Sequence, residues 1–159
     1  MKIAVRFDTE KDPAGQVTVS ATLAARAFFE AGVNPRKLDT ECRTGEEEYG
    51  RLLETLRPLI TQLKERATRS TAKLYWQVGS ELLGFHTVVE KGSLVVEGLL
   101  QSVARDTGMS RDVLWRCERL VRVFPDGASI EEGKTAAEYL RTFDSGYKRD
   151  SAPRKSVAV

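Results

Sequence analysis

The block from Leu100 to Arg119 constrains this chain most, because it carries the residue pattern of two short helices joined by a sharp turn. Apolar or small residues stand at Val103, Ala104, Met109, Leu114 and Cys117, with Gly108 between the two runs. Helices that cross at a steep angle need a small residue at closest approach, and their connection needs a residue that tolerates positive φ. Ala104 and Gly108 meet those demands, and Ser110 is placed to cap the second helix by accepting from backbone N–H groups of its first turn. The spacing predicts an inward stripe of Val113, Leu114, Cys117, Leu120, Val121 and Phe124. It predicts an outward face of Arg111, Asp112, Trp115, Arg116, Arg119 and Arg122. The pattern therefore predicts a helix-turn-helix over residues 94–124, with the outward face of its second helix presented to DNA. In the competing reading the two amphipathic helices imitate that motif and serve only as a packing unit.

Charge supports a local rather than a global attraction for phosphate. The 159 residues carry 25 Lys and Arg against 23 Asp and Glu, a formal charge of +2, which excludes a non-specific polycation. The first 60 residues are nearly balanced and include the acidic run Glu46, Glu47 and Glu48. The basic surplus lies beyond them, at Lys64, Arg66, Arg69 and Lys73 and at Lys148, Arg149, Arg154 and Lys155. The two cysteines, Cys42 and Cys117, are too few for a disulfide framework or a zinc site, and a reducing cytoplasm is expected. No apolar run approaches the roughly 20 residues that span a bilayer, and no signal-peptide core is legible, so no membrane partner is expected.

The periodicity predicts a mostly α-helical chain with a small N-terminal β-hairpin plus helix. Ile3, Val5 and Phe7 alternate with polar residues, Asp12-Pro13-Ala14-Gly15 supplies a turn, and Val17 and Val19 alternate again. A helical stripe of Leu23, Ala24, Ala27, Phe28 and Ala31 is expected from Ser20 to Gly32. Residues 33–45 read as a linker, which makes residues 1–45 a β-β-α unit with its connection. Glu46–Glu48 are expected to open a long helix with a stripe of Leu52, Leu53, Leu56, Leu59, Ile60 and Leu63, kinked or restarted at Pro58. A second helix is expected from about Arg66 to Leu83, with Ala72, Tyr75, Trp76, Gly79 and Leu82 or Leu83 inward and Gly84 as its end. His86 then falls in a connector, and the first helix of the motif is expected over Val95–Asp106. A last short helix is expected over Thr135–Phe143, closing a helical domain of residues 46–143. A disordered polar tail is expected over residues 144–159.

Two matches to catalytic motifs fail on physical grounds. Pro125-Asp126 followed by Glu132-Gly133-Lys134 imitates a metal-dependent nuclease, but those carboxylates must converge from neighbouring strands and no strand pattern joins them. Gly133-Lys134-Thr135 imitates the end of a phosphate-binding loop, yet the earlier glycine is missing, because position 128 is Ala. His86 has no histidine or cysteine nearby for a metal site or nucleophilic triad, and Cys117 reads as a small core residue. Tyr75 and Trp76 read as core residues rather than a base-stacking platform. No catalysis, cofactor or metal is expected.

Leu74-Tyr75-Trp76-Gln77-Val78-Gly79, the segment Val95–Arg105, Gly108-Met109-Ser110-Arg111, Leu114-Trp115 and Phe124-Pro125 together resemble the N-terminal domain of YhcG-like proteins. The resemblance covers roughly residues 60–126. It implies a DNA-binding or helix-turn-helix-like helical module of the kind that usually precedes a PDDEXK nuclease domain. Val113 and Glu118 stand where that family tends to have Asn and Arg, and Leu120-Val121 replaces an aromatic pair. About 35 residues follow Pro125, too few for a nuclease core, so nuclease activity is not expected.

The expected function is binding of double-stranded DNA, as a regulator or as the targeting module of a nuclease-type system. Ser110 caps the reading helix, Arg111, Trp115 and Arg116 face the major groove, and Arg105, Arg119 and Arg122 touch phosphates. A homodimer is a natural supplement to so small a module, through the N-terminal unit or the Leu52–Leu63 stripe. The alternative is a protein-interaction scaffold for a separately encoded partner, which the acids Asp106, Asp112 and Glu118 favour.

Overall fold

The computed structural model describes residues 3–23, 34–65, 71–131 and 133–141, which are mostly helical with one small sheet. The N-terminal hairpin is present: β1 (Ile3–Lys11) and β2 (Val17–Leu23) pair antiparallel, with Phe7 opposite Ala21 and Thr9 opposite Val19. Its turn is closed by Asp12, whose carbonyl accepts from the Gly15 N–H at 2.9 Å and whose carboxylate accepts from the Gln16 N–H at 2.7 Å. Ser20–Leu23 belong to β2, which corrects the expected helix start at Ser20. Cross-strand pairing supplies hydrogen bonds that the local period does not announce. The rest of that expected helix, positions 24–33, lies outside the described residues, as do 66–70 and the expected tail.

The segment read as a linker is instead the start of α1 (Pro35–Glu65), a continuous 31-residue helix. Asn34 is its N-cap: its side chain accepts from the Arg36 N–H at 3.0 Å and its carbonyl accepts from Leu38, while Pro35 takes the first helical position. Asn-Pro here is a helix start signal, not a turn. Gly45 likewise marks no loop: it is a close-approach position inside the helix, packed against the Phe7 ring. Glu46–Glu48 therefore lie mid-helix, where Glu46 accepts from the Ala21 N–H at 3.0 Å and ties the helix to β2. The helix runs through Pro58, whose side is exposed, because Leu52, Leu53, Leu56, Ile60 and Leu63 are all buried around it. That burial outweighs one lost intrahelical bond.

The second helix, α2 (Ala72–Val89), continues past Gly84 and includes His86, correcting both the expected end and the loop placement of the histidine. Phe85 and Val89 are buried, and Phe85 packs edge-on against Phe7 and Tyr49 at 5.6 and 5.8 Å, so tertiary contact extends the helix beyond its local stop signal. The expected helix start at Val95 is replaced by β3 (Leu94–Val96), which pairs parallel with β1 from Ile3↔Leu94 to Val5↔Val96 and gives the strand order β2-β1-β3. Residues 3–23 are thus completed by a strand from the helical region, and the two expected units share one core. Ile3, Val5, Phe7, Tyr49, Leu56, Leu82, Leu94, Val103 and Leu114 belong to the same buried cluster.

Two short helices follow, α3 (Leu99–Thr107) and α4 (Arg111–Val123). Beyond them Ala72, Leu120, Ile130, Ala136 and Leu140 form a second small core, flanked by Trp76, whose indole N–H donates to the Phe124 carbonyl at 2.8 Å. The chain is helical again over 136–141, where Thr135 and Glu138 bond reciprocally to each other's backbone N–H. No helix among the described residues is long and apolar enough to cross a membrane.

Candidate nucleic-acid interface

Two helices joined by three residues form the candidate site. Gly108 has φ +74° and its N–H donates to the Ala104 carbonyl at 2.9 Å, so the chain leaves α3 through the left-handed conformation that glycine tolerates best. Ser110 is extended, and its hydroxyl accepts from the Val113 N–H at 3.2 Å, as a helix N-cap does. Leu114, Cys117 and Leu120 are fully buried, and Val113, Val121 and Phe124 are half-buried at the margins of the same stripe. Gly79 of α2 lies directly against the backbone of Cys117. The depth of α4 is fixed by that contact.

The outward face carries Arg111, Arg116 and Arg122 in the open, with Trp115 48% exposed. The Arg119 guanidinium lies over the Trp115 ring, 4.9 Å from its centre, and is half-buried. Ser110 is exposed but occupied as a cap. The Lys64 ammonium reaches this end of the molecule from α1 and lies 3.5 Å from where a Cβ at Gly108 would stand.

Arg105 does not join this face. Its guanidinium donates to Asp106 at 2.9 Å, to Asp8 at 3.0 Å and to the Phe7 carbonyl at 3.3 Å, so it braces α3 against β1 instead of facing outward with the α4 arginines. Its hydrogen bond to the Asp106 carboxylate is the main reason its pKa is raised. Asp106 itself accepts from Thr9 and Tyr49, each at 2.6 Å. Burial pushes its carboxyl pKa up, but the bonds from Arg105, Thr9 and Tyr49 together outweigh burial and leave it below the ordinary value. The Tyr49 hydroxyl is pushed up, first by burial and then by its bond to Asp106.

Glu118, one of the acids that favour the scaffold alternative, is not on the open face but is buried on the α4 flank that meets α2. Its Oε1 lies 3.8 Å from His86 Nε2 and its Oε2 lies 4.0 Å from Arg122, while Oε1 accepts no hydrogen bond. Burial raises its carboxyl pKa, against the opposing pull of His86 and Arg122. His86 also approaches Glu90 at 3.5 Å, and Glu90 in turn accepts from the Val96 N–H, so the histidine sits between α4 and the residue that holds β3. The Arg122 spacing was legible as an i,i+4 pair; the His86 contact was not, because it needs α2 to run one turn further than Gly84 allowed.

The rejected motifs have structural roles. Asp126 caps a short 3-10 turn by accepting from the Ala128 N–H at 3.0 Å, and Lys134 pairs with Glu131 at 2.8 Å. Cys117 is a buried core thiol, with its pKa raised chiefly by desolvation. Among the described residues no group of three or more His, Cys, Asp or Glu side chains could hold a metal ion. Comparison of the chain with protein-family models, characterised proteins and solved structures finds no match in any of the three.

Proposed function

We propose that this protein binds double-stranded DNA with the exposed face of α4, α3 and α4 acting as a helix-turn-helix. The observation that supports this reading is the concentration of Arg111, Arg116, Arg122 and Trp115 on the open side of a helix whose other side is seated in the core. In this reading Arg111, Trp115 and Arg116 meet base edges in the major groove, and Arg119, Arg122 and Lys64 meet phosphates. Arg105 is left out, because its donors are directed to Asp8, Asp106 and Phe7. The resemblance of residues 60–126 to YhcG-like N-terminal domains belongs to the same reading, as does a cytoplasmic setting that keeps Cys42 and Cys117 reduced.

The test is a salt-series titration against random duplex DNA. Counterion release makes affinity fall steeply with salt, and Arg122→Ala reduces the slope of log K against log salt by about one unit. Absence of binding at low salt, or a flat salt response, overturns the proposal. The exposed Trp115 and its arginines would then fit the composition of a protein-interface hot spot, the scaffold reading.

A further inference from the structure

His86 is the only histidine in the chain. The packing of α2 on α4 places it between two carboxylates: Nδ1 lies 3.5 Å from Glu90 Oε1 on its own helix, and Nε2 lies 3.8 Å from Glu118 Oε1 on α4. A neutral imidazole carries one N–H and one lone pair, so it can donate to only one of the two. Whichever nitrogen holds the hydrogen, the other presents its lone pair to a carboxylate oxygen. Burial makes that mismatch costly on the α4 side, where Glu118 is 8% exposed and its Oε1 has no hydrogen-bond partner. One additional proton removes it, because an imidazolium donates from both nitrogens and a protonated Glu118 donates from Oε1 to Nε2.

We propose that a single proton held between His86 and Glu118 is a latch that fastens α4 to α2 and β3. In the closed state Nε2 and Glu118 Oε1 approach by about 1 Å, to the distance of a charge-assisted hydrogen bond, while Nδ1–H donates to Glu90 Oε1. The same Glu90 oxygen accepts from the Val96 N–H at 3.1 Å, so the closed contacts run from α4 through the imidazole to β3. From α4 the pair also faces Arg122, 4.0 Å from Glu118 Oε2, and on α2 the Phe85 ring borders the imidazole edge-on. Arg122 lies on the open side and engages the other carboxylate oxygen, which leaves the buried Oε1 to the imidazole. Histidine is the side chain that changes charge near neutral pH, so the latch closes on mild acidification. Burial of Glu118, which holds its carboxyl pKa above the ordinary value, acts in the same direction. The latch does not rest on the DNA reading.

A sole histidine gives one imidazole signal, and its NMR titration in the full chain reads the latch directly. Glu118→Gln and Glu90→Gln keep the size and an acceptor oxygen while removing the charge, and each should lower the midpoint of that titration by about half a pH unit or more. The wild-type melting temperature should rise as the pH is lowered from about 7 to about 5.5, and Glu118→Gln should lose most of that rise. A histidine that only packs would change the melting temperatures of the variants without moving the midpoint. A midpoint unmoved by one or both substitutions, or a wild-type melting temperature that stays flat or falls over that range, overturns the proposal.

Discussion

The backbone of Gly79 lies so close to the carbonyl of Cys117 that a Cβ at position 79 would overlap that oxygen. This contact sets the distance between α2 and α4, and therefore how far the Arg111–Arg122 face stands out from the body. Unlike the far end of a flexible side chain, a helix carbonyl cannot move aside without moving its helix.

Gly79→Ala should accordingly destabilise the fold by about 1 to 3 kcal/mol or more, although alanine is the better helix former. Urea unfolding measures the change. A wild-type midpoint would mean that α4 rides higher on α2 than described.

Burial separates the two faces of α4. Leu114→Ala should cost about 2 to 5 kcal/mol, because Leu114 is fully buried in the main core. Arg116→Ala should leave stability within about 0.5 kcal/mol, because Arg116 is exposed, and should weaken binding to a preferred duplex by about 1 to 3 kcal/mol. Thermal melts and DNA titrations on the same two variants make the comparison. Equal destabilisation by both would show that the arginine face is covered.

Asp106 predicts an acid limit. Its folded pKa is below the ordinary carboxylate value, so its contribution to stability is complete above that value and is lost as pH falls through the folded pKa, below about pH 4. Asp106→Asn should lower stability at neutral pH by about 2 to 3 kcal/mol, the scale of a hydrogen bond to a charged group, and flatten the acid limb of the stability curve. An unchanged acid limb would remove Asp106 as its source.

Glu118 predicts the opposite sign. Its folded pKa is raised by burial, so its stabilising contribution is complete below the ordinary glutamate value of about 4.3 and is lost as pH rises through the raised pKa. Glu118→Gln should raise the melting temperature at neutral pH, and the gap from wild type should close on acidification. A lowered melting temperature at neutral pH would show that the contacts with His86 and Arg122 outweigh desolvation.

The local signals around α3 and α4 were strong enough to be read from residues alone. Gly108 in the left-handed region, Ser110 as a cap and the Leu114, Cys117, Leu120 stripe all depend on neighbours within one or two turns, as does the hairpin turn at Asp12–Gly15. The features decided by tertiary structure depend on partners far along the chain. Leu94–Val96 became a strand because β1 offers it an edge more than 80 residues away in sequence, and α2 ran through Gly84 because Phe85 and Val89 found the core. Arg105 is engaged by Asp8 of β1, and Glu118 is buried beside His86, contacts that no helical period encodes. Sequence by itself determined which residues could turn, cap and line a helix, since those preferences are set by local sterics and hydrogen bonding. Only the packed structure decided which charged groups are tied into ion pairs and which are left unengaged on the α4 face, because that depends on which distant carboxylates and carbonyls the fold brings within hydrogen-bonding reach.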